Sequence, residues 1–177
     1  MAETATTLTP SKLTFRMPVD TDGAAIWDLI RACKPLDENS MYCNLIQCSD
    51  FAETCVIAEL DGEIVGWISA YIKPSEPDTV FVWQVAVSEA ARGMGVGSRM
   101  LTELFERDVC AGVTTLQTTI TRSNEASWAL FSRFCDRVDG DMEHEPHFTR
   151  EEHFDGKAAT EHMVTIDLVA EGMKKAA

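Results

Sequence analysis

The stretch F-V-W-Q-V-A-V-S-E-A-A-R-G-M-G-V-G-S-R-M-L, Phe81 to Leu101, constrains the fold more than any other part of the chain. An apolar strand runs into a glycine-rich turn, and the turn opens a helix, the strand-turn-helix unit of an α/β layer. Gly93, Gly95 and Gly97 leave successive backbone NH groups unobstructed, and the helix adds the positive end of its dipole at the same point. Arg92 and Arg99 add local positive charge. A turn of this kind suits a pyrophosphate.

Spacing narrows the choice of phosphate ligand. A dinucleotide fingerprint requires G-x-G-x-x-G and a P-loop requires G-x-x-x-x-G-K-[ST], and neither string occurs. The turn reads R-x-x-G-x-G, Arg92 to Gly97, directly after a buried strand. By itself it is equally compatible with a strand-turn-helix whose glycines serve only tight packing.

A length of 177 residues supports one domain with a proper core and is short for two. The apolar and charged fractions, 45% and 25%, are those of a globular protein, and no apolar run approaches the ~20 residues of a membrane span. Residues 1–12 read as a polar tail without the apolar core of a signal peptide, so a cytoplasmic location is expected. The six cysteines, Cys33, Cys43, Cys48, Cys55, Cys110 and Cys135, sit in apolar periodic segments and form no C-x-x-C pair; free buried thiols are expected. The formal charge of −14 opposes nucleic acid and anionic membrane as partners and favours a cationic substrate. It also requires any site for an anionic coenzyme to be locally positive. Acidity serving solubility alone accounts for the same number.

Along the chain, Leu13 to Met17 reads as a strand, and Ile26, Leu29, Ile30 and Cys33 form a helical stripe that Pro35 stops. Ser40 caps a second helix, roughly 41–51. Residues 54–60 and 63–72 form a hairpin around Asp61-Gly62. A strand over 79–88, a helix over 96–110 and a strand over 113–121 follow, and Ser123 and Asn124 offer caps to a helix bearing Ala126, Leu130, Phe131 and Phe134. From Asp136 the sequence is acidic and histidine-rich without apolar periodicity, so 141–162 is expected to be a loop or lid. Met163 to Val169 closes the sheet. The domain is expected over 13–169, with tails at 1–12 and 170–177.

That order of elements, with R-x-x-G-x-G after the fourth strand and Asn124 ahead of A-S-W-A-L-F-S-R-F, resembles the GNAT N-acetyltransferase superfamily. The resemblance implies an α/β fold, the acyl-CoA N-acyltransferase fold: a single domain with a mixed central sheet flanked by helices. Three further segments, P-L-D-E-N-S-M-Y-C-N-L (35–45), V-F-V-W-Q-V-A-V (80–87) and T-T-I-T-R-S-N-E-A-S (118–127), resemble one branch of it, the enzymes that acetylate L-2,4-diaminobutyrate for ectoine synthesis and osmoadaptation.

By this resemblance acetyl-CoA is the cosubstrate and no metal is needed. Backbone groups of Val85 and Val87 pair with the pantetheine arm, Arg92, Gly93, Met94, Gly95, Val96, Gly97 and Ser98 cradle the pyrophosphate, and Asn124 stands against the coenzyme. Asp37, Tyr42, Trp83 and Glu161 are the acceptor candidates. Each also has a plain structural reading: Val85 and Val87 as core, Asp37 before a turn, Tyr42 half-buried on its helix, Trp83 as strand core, Glu161 as a solvated acid. His144, His147, His153 and His162 lack the spacing of a prebuilt metal site. The resemblance further implies a homodimer. Many of these enzymes carry a tyrosine, as general acid, where this chain has Phe131, so no catalytic acid or base is assigned. Another small cationic amine as acceptor, such as a polyamine, an amino acid or an aminoglycoside, and a noncatalytic acetyl-CoA-binding module are the competing readings.

Overall fold

The structure is a computed structural model and describes residues 12–168. Eleven elements build the fold: β1 (Leu13–Arg16), α1 (Gly23–Ala32), α2 (Met41–Ser49), β2 (Val56–Leu60), β3 (Glu63–Lys73), β4 (Glu76–Val87), α3 (Val96–Phe105), β5 (Thr115–Thr121), α4 (Glu125–Arg137), β6 (Asp141–Phe148) and β7 (Glu161–Asp167). Seven strands form one sheet in the order β1-β2-β3-β4-β5-β7-β6. Only the β4–β5 pair is parallel, so the sheet is mixed as expected.

Alternation within the strands sorts side chains into two cores. On one face Ile57, Trp67 and Ala86 pack beneath α1 with Ile26, Leu29 and Ile30. On the other, Ile68, Val80, Val82, Leu116, Ile120, Val164 and Ile166 pack with α3 and α4 residues Met100, Leu101, Leu104, Phe131 and Phe134. Burying each large apolar side chain contributes about 1.5–3 kcal/mol, so the helices on both faces are firmly seated. Gly66 lets α3 come close, because a Cβ there would lie 3.0 Å from both Met100 and Val96.

The hairpin signal is realised with φ +54° at Asp61 and +90° at Gly62, as a two-residue turn with left-handed central residues requires. Two helices end earlier than the sequence suggests: α2 at Ser49, and α3 at Phe105, after which Asp108–Cys110 is a separate 3-10 turn.

The larger correction concerns 141–162. Asp141–Phe148 is a strand paired antiparallel along β7, and Glu161 is the first residue of β7 rather than a loop residue before it. β6 is the sheet edge and seven of its eight residues are exposed, so it needs no apolar alternation. Charges and Pro146 are what an edge strand tolerates, and they also hide it from a periodicity search. The connection from 149 to 160 remains without a strand or α-helix. Of the expected tails only Lys12 is described, and it is tied to the hairpin, its amide donating to Asp61 Oδ1 at 2.8 Å; the rest of the tails and Val169 lie outside the described residues.

Candidate active site

The parallel ladder between β4 and β5 is short. It runs through Thr79↔Thr115, Val80↔Leu116 and Phe81↔Gln117 and stops, although β4 continues to Val87 and β5 to Thr121. Past Phe81 the two strands diverge and leave a wedge-shaped slot in the middle of the sheet. Their outer edges stay paired, β4 with β3 as far as Val87↔Gly66 and β5 with β7 as far as Thr121↔Glu161. Ser88 N donates to Val65 O at 2.8 Å, so by the alternation of an antiparallel ladder Val85 and Val87 turn their NH and CO groups away from β3, toward the slot. The Val87 carbonyl also accepts a weak hydrogen bond from the Cys33 thiol at 3.4 Å.

At the end of the slot the glycine turn meets α3. Gly93 and Gly95 have φ of +80° and +70°, a conformation that costs side-chain-bearing residues, and a Cβ on either would project into open space. The first intrahelical bond is Arg99 N to Gly95 O at 3.1 Å, so the amides of Val96, Gly97 and Ser98 precede it and are the orphan donors of the helix start. Gly97 acts differently, through packing. A Cβ there would come within 3.2 Å of Leu130, so it sets the spacing of α3 against α4. Arg92 is exposed beside the turn. Arg99 lies with its guanidinium 4.9 Å from the Phe15 ring centre, spending part of its cationic character on that ring. Open amides, the dipole and Arg92 fit a pyrophosphate-bearing ligand.

Asn124 is the N-cap of α4, its Oδ1 accepting from Ser127 N at 3.1 Å. Phe131 is buried in the core beneath α4 and offers no proton. Trp128 fixes the β5–α4 turn by donating Nε1 to Thr121 O.

Two of the four acceptor candidates, Asp37 and Glu161, come near each other although they are far apart in the chain. Asp37 lies in the α1–α2 loop and Glu161 opens β7, yet they are close enough for the Asp37 charge to act on Glu161. Burial, then the Asp37 carboxylate, push the Glu161 carboxyl above its ordinary range, while a hydrogen bond with Thr119 opposes them. A cation near Glu161 would relieve both causes of its shift. Trp83 is 50% exposed and Tyr42 71% exposed, so neither is core. Tyr42 sits in the first turn of α2, whose N-cap Ser40 accepts from Cys43 N.

One residue at this site escapes the sequence reading. Gln84 is 8% exposed, and its Nε2 donates to Asp37 O at 2.8 Å while its Oε1 accepts from Asn39 Nδ2 at 3.5 Å. Its one signal is an amide inside the apolar run V-F-V-W-Q-V-A-V.

The histidines do not gather as metal ligands. His162 is buried and accepts from Arg122 Nε at 3.2 Å; burial and the Arg122 charge hold its pKa below the usual range. His144 packs edge-on against Trp128 and His162. Among the described residues no group of three or more His, Cys, Asp or Glu side chains is arranged to hold a metal, and no helix is long and apolar enough to cross a membrane. All six cysteines are unpaired, and burial pushes the thiols of Cys48 and Cys55 up to about 12, which leaves them unreactive at neutral pH.

The acetyltransferase (GNAT) family model matches residues 23–136. The chain is 46% identical over 155 residues to the L-2,4-diaminobutyric acid acetyltransferase of Vibrio cholerae serotype O1, covering 87% of this chain and 89% of that one. It is 41% identical over 157 residues to the enzyme of the same name from Halomonas elongata, covering 88% and 81%. Among solved structures it is similar to the diaminobutyrate acetyltransferase EctA from Paenibacillus lautus in complex with its substrate L-2,4-diaminobutyric acid and coenzyme A, with a TM-score of 0.85, 37% identity, and 89% and 96% of the two chains covered. At 17% identity and a TM-score of 0.68, the yncA protein from Salmonella typhimurium with its cofactor acetyl-CoA shares the fold, over 90% of this chain and 95% of that one. By fold, slot and sequence, the chain belongs to the acetyltransferase (GNAT) family, in the same group as the L-2,4-diaminobutyric acid acetyltransferases.

Proposed function

We propose that the protein transfers the acetyl group of acetyl-CoA to the γ-amine of L-2,4-diaminobutyrate, giving the N4-acetyl product used in ectoine synthesis. What carries this reading is the slot opened where β4 and β5 part, with the Asp37 loop tied to β4 through Gln84 and Glu161 paired with Thr121 at the end of β5, in a chain 37% identical to an enzyme whose structure holds diaminobutyric acid and coenzyme A.

Each part of the site contributes to this reaction. The free amides of Val96, Gly97 and Ser98, opened by the turn at Gly93 and Gly95, and the Arg92 side chain hold the pyrophosphate, while the Met94 amide is spent on Ala91 O within the turn; the backbone of Val85 and Val87 pairs with the pantetheine arm in the slot. Asn124 steadies the turn beside that arm through its cap. When bound, acetyl-CoA supplies an activated acyl group as a thioester. The acceptor's γ-amine is an aliphatic amine with a pKa near that of lysine, about 10.4, so it arrives as a cation and one proton must leave before it can react. Asp37 and Glu161 draw the ammonium groups in, Trp83 presents a ring face to them, and Tyr42 hydrogen-bonds the α-carboxylate or α-amine. With the α-carbon so fixed, the γ-amine alone reaches the slot. Positioning of this kind is a large part of acyl-transfer catalysis.

The reading includes a cytoplasmic homodimer that serves osmoadaptation and uses neither nucleic acid nor membrane as a partner. The acidic composition supports the last two points. Purified protein should release free thiol from acetyl-CoA with diaminobutyrate well ahead of lysine, whose longer side chain overshoots a pocket of fixed depth. NMR of the product should show the γ-N-acetyl isomer. A dominant α-N-acetyl product, or lysine matching diaminobutyrate in rate, overturns the reading in favour of a broader amine acetyltransferase. Light scattering on the eluting peak tests the dimer.

A further inference from the structure

The bulge in β4 gives Gln84 a place that ordinary strand alternation denies it. In the β3–β4 register Ser69 pairs with Gln84 and Ala70 with Val82, which leaves Trp83 as the extra residue. Before the bulge Val80 and Val82 pack on the α3–α4 face, and after it Val85 and Val87 do, while Ala86 belongs to the core under α1. The parity of the strand therefore changes at Trp83. Consecutive residues Trp83 and Gln84 both emerge on the α1–α2 face, where a regular strand would send one of them to the other side.

What Gln84 does there is specific. Its amide bonds the backbone of Asp37 and the side chain of Asn39, and Trp27 Nε1 donates to Asn39 O at 3.0 Å from the other flank. The loop carrying Asp37 is thus held between α1 and β4. The strand ladder makes no demand for an amide here: a buried amide must be satisfied, whereas an apolar side chain of equal volume fills the same space without that condition. Its neighbour across the ladder in β3, Ser69, is also buried, and the Ser69 Oγ has no hydrogen-bond partner among the described residues. Asp37 is exposed, so packing around its side chain does little to hold it, and the grip on its backbone is what anchors the residue.

We propose that Gln84 is a positioning residue for the acceptor: by gripping the Asp37 peptide it fixes the Asp37 carboxylate relative to Glu161, and so determines which amine of the acceptor faces the slot. This rests on the reading of Asp37 and Glu161 as the acceptor-binding pair.

The test begins with wild-type enzyme, because failure to acetylate diaminobutyrate would remove the underlying reading and not this inference alone. In Gln84→Met, which keeps volume and loses both bonds, KM for diaminobutyrate should rise at least about tenfold with coenzyme affinity unchanged by calorimetry. The α-N-acetyl isomer should appear in the product, a readout that general destabilisation does not move. Asp37→Asn should cost much less in the Gln84→Met background than in wild type, since the carboxylate it removes is already misplaced. Gln84→Glu keeps the volume but loses the donor to Asp37 and sets a carboxylate against the Asp37 carbonyl, so it should release the loop as Gln84→Met does. If Gln84→Met does not fold by circular dichroism, Gln84→Glu carries the same readouts. An active wild type combined with unchanged KM and isomer ratio, with additive Asp37 and Gln84 effects, or with failure of both variants to fold overturns the proposal.

Discussion

The two sides of the slot are built on different principles. The coenzyme side we propose is mainly local and made of backbone: its core is the run from Val85 to Ser98, shaped by strand divergence and by two left-handed glycines. The acceptor side we propose draws instead on side chains from the α1–α2 loop, α2, β4 and β7, which are far apart in the chain. A backbone site is broken by changing conformation. A side-chain site is broken by changing a functional group.

The sharpest way to break the comparison is therefore at Gly95. Gly95→Val forces a β-branched residue to φ +70°, at a cost of roughly 1–2 kcal/mol, and fills the open space before the α3 amides. Coenzyme affinity should fall about 100-fold by calorimetry, on the order of 2.7 kcal/mol, with the fold intact. Gly62→Val, at φ +90° in the hairpin away from the slot, should lower Tm and leave coenzyme affinity alone. Equal coenzyme affinity in wild type and Gly95→Val would remove the turn from the site.

Asp37→Asn tests the other side. A carboxylate facing an ammonium contributes roughly 1.5–3 kcal/mol as a charge-assisted hydrogen bond, so kcat/KM for diaminobutyrate should drop at least about tenfold while coenzyme affinity holds. Equal losses toward both substrates would make Asp37 structural.

This division also accounts for what can be read in the sequence. The turn is legible because its residues are contiguous and each glycine has a local reason. The two-residue hairpin at Asp61-Gly62 is legible for the same cause. β6 is not, because an exposed edge strand carries no apolar alternation. Gln84 is not, because its function depends on a bulge that changes strand parity, and no periodic pattern marks which residue is the extra one. Asp37, Tyr42, Trp83 and Glu161 are reached through resemblance. Local pattern supplies nothing that would join Asp37 to Glu161 across the sheet.

The smallest effect expected is on stability, and it sharpens the contrast because a backbone site has no counterpart to it. Glu161 has its carboxyl pKa raised in the folded protein, first by burial and second by Asp37. The folded state therefore keeps this proton to a higher pH than the unfolded chain does. As pH rises from the unfolded value, near about 4.3, through the folded one, the unfolded state loses its proton first and stability falls. Once ionised, Glu161 is disfavoured by its burial and by the Asp37 charge, a cost that a bound cationic acceptor should relieve. Glu161→Gln removes the charge and keeps the shape, so at pH 7 its Tm should exceed that of wild type by a few degrees, since 1 kcal/mol corresponds to about 2–4 °C in a domain of this size. Near pH 4 the difference should vanish, and diaminobutyrate should raise the Tm of wild type more than that of the variant. Calorimetry at the two pH values decides the matter: a variant less stable than wild type at pH 7 would mean that Glu161 is a structural acid satisfied by Thr119, and the acceptor side would lose one of its two charges.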